Sequence, residues 1–114
     1  MTMVMSTTWV DVCPLDQLIP GRGVCALVGR HQVAVFRVGP GANLCALSNH
    51  DPFSRANVLS RGIVGSKGDR LKVASPVYKQ SFDLETGECL DDPAVSVPTF
   101  AVRVEDGMVQ VAAP

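Results

Sequence analysis

Short runs of apolar and β-branched residues, each ended by glycine, proline or aspartate, follow one another along the whole chain. Runs of this length and composition are typical of β-strands. No stretch keeps a 3.6-residue apolar period for the roughly 11 residues that would indicate a helix. The regular spacing of the runs therefore predicts an all-β fold, an antiparallel sandwich or partial barrel.

The apolar runs and the turn residues between them predict where the elements lie. Strands are expected at 9–13, 24–28, 33–38, 44–48, 70–74, 100–104 and 108–111, with a helical turn or irregular link at 14–18. Tight turns are expected at 29–32, 67–69, 85–87 and 105–107, because glycine and its polar neighbours adopt the positive φ that hairpins require. Residues 39–43 are expected to form a loop. Residues 49–65 hold only weak local structure and are long for a connection, which is typical of functional or interaction segments.

Length and charge exclude several classes of protein. A chain of 114 residues suits one domain, predicted at 8–114 after a disordered tail at 1–7. The net charge is −1 and the basic residues are scattered, so neither nucleic acid nor an anionic membrane is an expected partner. The N-terminus lacks the pattern of a secretory signal, and no segment has the ~20 apolar residues of a membrane span. We therefore expect a cytoplasmic protein.

The four cysteines lie far apart in the sequence, without a Cys-x-x-Cys pair. This spacing indicates neither a metal site nor, in the cytoplasm, disulfides. Because Cys25 and Cys45 lie within apolar runs, we expect the cysteines to be small core residues. Trp9 is likewise expected in the core, and both His31 and His50 are expected to face solvent.

Four segments carry a family resemblance: 47–53 (LSNHDPF), 57–62 (NVLSRG), 73–80 (VASPVYKQ) and 82–89 (FDLETGEC). From about residue 9 to residue 111 the chain resembles the small subunit of the assimilatory NAD(P)H-dependent nitrite reductase. The resemblance implies a Rieske-like fold with a small second sheet at the loop tip.

The two loops that hold the cluster in Rieske domains lack its ligands here. Such domains carry Cys-x-His on one loop and Cys-x-x-His on the other, supplying two thiolates and two imidazoles. The resemblance places Asp51 and Phe53 on the first loop, and Ser75 and Tyr78 on the second. These residues imply no metal and no cofactor in this chain. Phe53, Val77 and Tyr78 are expected to fill the volume that a cluster would occupy.

The resemblance also implies a function. The chain would be a non-catalytic subunit of nitrite reductase, an enzyme that reduces nitrite to ammonium. It would dock on a large subunit that holds sirohaem, FAD and an iron–sulfur cluster. The expected contact residues surround the two loops: Phe53, Arg55, Asn57, Arg61, Tyr78 and Lys79. Basic residues near the central segment, including Lys67 and Arg70, are either a solvated rim or a face that complements an acidic patch.

Two other functions remain open at this point. One is a Rieske-like ferredoxin with unusual ligands. The other is a β module that regulates a different oxidoreductase, and the chain could form homo-oligomers in that case.

Overall fold

The computed structural model describes residues 8–38 and 43–113, so the predicted tail at 1–7 and loop residues 39–42 lie outside the described residues. Twelve short strands make up the described part: β1 (Trp9–Pro14), β2 (Gly23–Val28), β3 (His31–Val38), β4 (Asn43–Ser48), β5 (His50–Asp51), β6 (Ala56–Asn57), β7 (Ile63–Lys67), β8 (Arg70–Ala74), β9 (Ser81–Asp83), β10 (Thr99–Phe100), β11 (Val102–Glu105) and β12 (Met108–Ala112). Single 3₁₀ turns at Leu15–Gln17 and Leu59–Arg61 complete the secondary structure of this part.

The strands form three antiparallel sheets and one two-stranded ribbon. The sheet orders are β1-β12-β11, β10-β4-β3-β2 and β7-β8-β9, and β5 pairs with β6 in the ribbon. Tight turns join β2 to β3, β7 to β8 and β11 to β12. In the turn between β11 and β12, Asp106 and Gly107 have φ values of 52° and 77°, the positive values that a two-residue hairpin loop needs.

Strand β3 is the centre of the molecule because both of its faces are buried. Val33 and Val35 pack on one side with residues of β12, whereas Ala34 and Phe36 pack on the other with residues of β8 and β9. Successive side chains of a strand point to opposite faces. The four-stranded sheet is therefore a middle layer with a separate hydrophobic core on each side.

The architecture confirms the predicted antiparallel all-β fold, and the ribbon β5–β6 is a small additional sheet, as expected. The prediction for residues 49–65 was wrong in part. This segment contains the ribbon, a 3₁₀ turn and the start of β7, which pairs with β8 from Ile63 onward. Its strands are too short, at two residues each, to give a sequence period.

The cysteines and Trp9 differ from the expectation of a buried location. All four cysteines are free thiols, but Cys25 is exposed on edge strand β2, and only Cys89 is fully buried. Trp9 is half-buried, and the guanidinium of Arg103 lies 4.2 Å from the centre of its ring, a cation–π contact on the surface. Within the described residues, no helix has the length and apolar character needed to cross a membrane.

Candidate functional site at the loop tip

Two five-residue loops form the tip. Each loop begins at the end of a strand, with a polar residue that is followed by proline. The first loop (51–55) joins β5 to β6, and the second loop (75–79) joins β8 to β9. A backbone hydrogen bond closes each loop: Arg55 N donates to Asp51 O at 2.7 Å, and Lys79 N donates to Ser75 O at 3.1 Å. In each loop, the carbonyl oxygen of the first residue therefore holds the backbone N–H of the last residue.

Asp51 and Ser75 join the two loops to each other. Asp51 is fully buried, at 0% exposure, and Ser75 is buried beside it. The Ser75 hydroxyl donates to Asp51 Oδ2 at 2.5 Å, and the Ser54 hydroxyl donates to the same oxygen at 2.8 Å. The backbone N–H of Phe53 donates to Oδ1 at 2.9 Å. Each carboxylate oxygen thus accepts at least one hydrogen bond, and the bond from Ser75 connects the second loop to the first.

These hydrogen bonds keep Asp51 ionised. Burial by itself raises the pKa of a carboxyl group, because it disfavours the charged form. Hydrogen bonds from Ser75, Phe53 and Ser54 stabilise the carboxylate, and together they outweigh burial, so that the pKa of Asp51 lies below its usual value. The tip therefore contains a buried negative charge that hydrogen-bond donors stabilise.

The residues at the tip do not fit an iron–sulfur cluster. A Rieske cluster requires two thiolates and two imidazoles, and iron–sulfur chemistry favours soft sulfur donors. Asp51 and Ser75 offer only oxygen atoms as ligands, and these two side chains are already hydrogen-bonded to each other. Phe53 has no donor atom. Within the described residues, no group of three or more histidine, cysteine, aspartate or glutamate side chains could hold a metal ion.

The predicted packing of the tip was correct for one of three side chains. Phe53 is half-buried and packs against the core, with its ring centre 6.2 Å from that of Phe82. Val77 and Tyr78 are 46% and 62% exposed and therefore do not fill the space between the loops. In the second loop the inward polar contact is made by Ser75, whose hydroxyl donates to Asp51.

The other predicted contact residues lie on the surface. Arg55, Asn57, Arg61 and Lys79 are all exposed. Arg70 is exposed as well, and its guanidinium pairs with Asp83 at 2.6 Å and with Glu88 at 3.2 Å. That pairing ties Arg70 to the β8–β9 sheet.

Asn49 is a structural residue that sequence reasoning missed. It is buried, its Oδ1 accepts from Ser60 N at 2.7 Å, and its Nδ2 donates to Asn57 O at 3.1 Å. These bonds hold the ribbon against the turn at Leu59–Arg61. Nothing in its sequence neighbourhood distinguishes a buried asparagine from an exposed loop residue.

Its neighbour His50 faces solvent, as predicted, and lies 3.3 Å from the side-chain oxygen of Asn57.

Comparison with known proteins agrees with this fold. Residues 8–112 match the model of a family described as Rieske-like [2Fe-2S] domain. The nitrite reductase (NADH) small subunit of Salmonella typhimurium is 47% identical over 90% of this chain and 95% of its own length. The solution structure of the nitrite reductase [NAD(P)H] small subunit from Erwinia carotovora is 50% identical, with a TM-score of 0.78 over 93% of this chain and 82% of that one.

A third similarity is to part of a longer protein. The nitrite reductase [NAD(P)H] large subunit of Klebsiella oxytoca is 41% identical over 93% of this chain, which corresponds to 11% of the large subunit's length.

The sheets and the two-loop tip define a Rieske-like domain, here with oxygen and aromatic side chains at the ligand positions that the resemblance implies. Within that class, the identity and coverage show that the chain belongs to the family of nitrite reductase small subunits.

Proposed function

We propose that this chain is the small, non-catalytic subunit of an NAD(P)H-dependent nitrite reductase and that it binds the large subunit through its tip. The observation that carries the proposal is the similarity to a segment of the Klebsiella large subunit. A domain that is part of the large chain in one organism and separate in another is expected to contact the same catalytic partner in both.

The proposal assigns the redox chemistry to the partner. Sirohaem, FAD and the iron–sulfur cluster that reduce nitrite to ammonium belong to the large subunit, and this chain carries no cofactor. The hydrogen-bonded pair Asp51–Ser75 supports this division, because it takes the place of two cluster ligands and already links the loops. A cytoplasmic location fits the four free thiols, since reducing compartments keep cysteines unpaired.

The contact surface that we propose combines exposed apolar and basic side chains. Tyr78 is 62% exposed, and Arg55, Arg61 and Lys79 are exposed on the two loops and on the 3₁₀ turn at Leu59–Arg61. Tyrosine and arginine are enriched among the residues that dominate protein–protein binding energies. Phe53 supports this surface from within the core, and Asn57 lies at its edge on β6.

Reconstitution tests the assignment. Nitrite-dependent oxidation of NADH is measured with the large subunit alone and after addition of this chain, and binding is measured in parallel. We expect Tyr78→Ala to weaken binding about tenfold or more, as a central aromatic contact does. The matched control is Leu27→Ala, which shortens another exposed apolar side chain, on β2, and leaves binding unchanged. A wild-type chain that neither binds nor affects turnover contradicts the proposal and favours a regulatory module of another oxidoreductase.

Iron analysis separates the proposal from a ferredoxin. Purified protein is expected to contain far less than one iron per chain and to show no absorption band in the visible range. Near-stoichiometric iron together with a reducible visible chromophore would establish the ferredoxin function instead.

A further inference from the structure

The two loops of the tip are built alike, although their sequences share only the proline. The first residue of each loop accepts a hydrogen bond on its side-chain oxygen from the N–H two positions later, at 2.9 Å in the first loop and 3.3 Å in the second. Each loop is closed by a backbone bond from its fifth residue to its first. Each fifth residue is basic, Arg55 in one loop and Lys79 in the other.

Both basic residues have left-handed backbone conformations. Their φ values are 60° and 64°. Glycine adopts this region without steric cost, and asparagine and aspartate enter it more readily than other residues. Among the described residues, the third non-glycine residue with positive φ is Asp106. It lies in a hairpin turn that requires positive φ, and aspartate tolerates this conformation. Arginine and lysine do not share this tolerance of positive φ. Backbone preference therefore does not explain why a basic residue is the last residue of both loops.

Neither side chain stabilises the fold through a polar contact. Within the described part of the chain, the guanidinium of Arg55 and the ammonium of Lys79 form no hydrogen bond or ion pair, whereas Arg70, at the other end of β8 from the second loop, pairs with two carboxylates. The acidic residue of the two loops is Asp51, which is fully buried and engaged. The exposed surface of the loops therefore presents two cations beside Val77 and Tyr78 and no exposed carboxylate.

Backbone strain at surface positions that contribute no polar contact is expected to persist where the side chain has a function. The link between Asp51 and Ser75 also fixes one loop against the other, so the two cations are held in a set relation. We propose that Arg55 and Lys79 are a specificity-determining pair of cations that recognises two acidic side chains on the nitrite reductase large subunit. This inference rests on the proposed function and adds the chemistry of the partner's surface.

The test replaces both residues by ones that suit the backbone and lack the charge. The double variants R55G/K79G and R55N/K79N are expected to melt at or above the temperature of the wild type, because glycine and asparagine accept positive φ. Their association with the large subunit is expected to slow about tenfold at low ionic strength, with a difference that shrinks as salt screens the charges. The charge-retaining exchange R55K/K79R keeps wild-type binding.

Two controls separate charge at the tip from general effects. Asp106→Gly relieves a positive φ at a distant hairpin without removing a cation, and Lys67→Gln removes an exposed cation from the β7–β8 hairpin; both are expected to bind normally. If the wild type binds and both double variants bind equally well at low salt, the inference is overturned while the proposed function stands. A fall in melting temperature in both double variants also overturns it, since the side chains would then be stabilising the fold. Failure of the wild type to bind rejects the proposed function itself.

Discussion

Asp51 is the residue on which the shape of the tip depends. A buried carboxylate is stable only where donors satisfy it, and Asp51 receives them from its own loop and from Ser75 of the other loop. Hydrogen bonds to a charged acceptor are shorter and stronger than those between neutral groups. The pair Asp51–Ser75 is therefore a polar cross-link between two loops that relatives of this fold class join through a metal cluster.

Truncation of Asp51 is expected to destabilise the protein strongly. Asp51→Ala leaves Ser75, Ser54 and the Phe53 N–H without their acceptor, at a cost of about 3 kcal/mol in the free energy of unfolding. Asp51→Asn keeps an acceptor oxygen and is expected to cost about 1 kcal/mol. Urea unfolding measures both values. Ser54→Ala, which removes one donor only, is the control at about 1 kcal/mol, and equal stability of D51A and S54A would show that the cross-link contributes little.

At the scale of elements, the 3₁₀ turn at Leu59–Arg61 is packed between two sheets by close backbone contacts. A Cβ atom at Gly23 would lie 2.4 Å from Ser60 O and 2.6 Å from Phe36 Cε1, and one at Gly62 would lie 2.5 Å from Ala74 O. Leu59, at the start of the turn, is fully buried in the core beneath β3. Because these two glycines have no side chain, β2 and β8 can approach the turn closely. The turn includes Ser60, whose N–H donates to the buried side chain of Asn49.

Adding one methyl group at either glycine is expected to push these elements apart. Gly23→Ala and Gly62→Ala should each lower the free energy of unfolding by about 1–3 kcal/mol, because backbone atoms cannot move aside as a flexible side chain can. Gly65→Ala on neighbouring strand β7 is the matched control, since its Cβ would meet only Lys72 Cε at 3.9 Å. Thermal and urea denaturation compare the three variants. A loss of stability in Gly65→Ala as large as in the other two would contradict the steric explanation.

For the whole molecule, two buried carboxylates link stability to pH. Asp83 resembles Asp51: burial raises its pKa, but hydrogen bonds from Thr86 N, Arg70 and Glu85 N outweigh this and lower it overall. Both groups therefore have a lower pKa in the folded protein than the value near 3.9 of an unfolded chain. Their contribution to stability is complete above the unfolded pKa and is lost as the pH falls through the folded pKa.

The free energy of unfolding is accordingly expected to decline below about pH 5, by up to about 1.4 kcal/mol per pH unit for each carboxylate. Urea titrations between neutral and acid pH measure this decline. The double variant D51N/D83N should be less stable at neutral pH and should show a flatter decline in acid. If its acid decline equals that of the wild type, the pH dependence comes from other groups.

Local patterns predicted most of the elements because strands and hairpin turns leave marks within a few residues. The alternating faces of β3, the turn at Asp106–Gly107 and the outward direction of His50 beside buried Asp51 all follow from short-range rules. The ribbon β5–β6 left no such mark, because two-residue strands are too short to show a period.

The sequence by itself determined the all-β class, the family and the absence of cysteine and histidine from the four positions where the resemblance implies cluster ligands, since these depend on residue types and on patterns along the chain. Only the tertiary structure decided what replaces the ligands. The aromatic filling expected from the residue types gave way to a bond between Asp51 and Ser75, 24 positions apart, with Tyr78 turned to solvent. Which polar groups meet across two loops depends on how the sheets beneath them pack, and that packing is set by contacts distant in sequence.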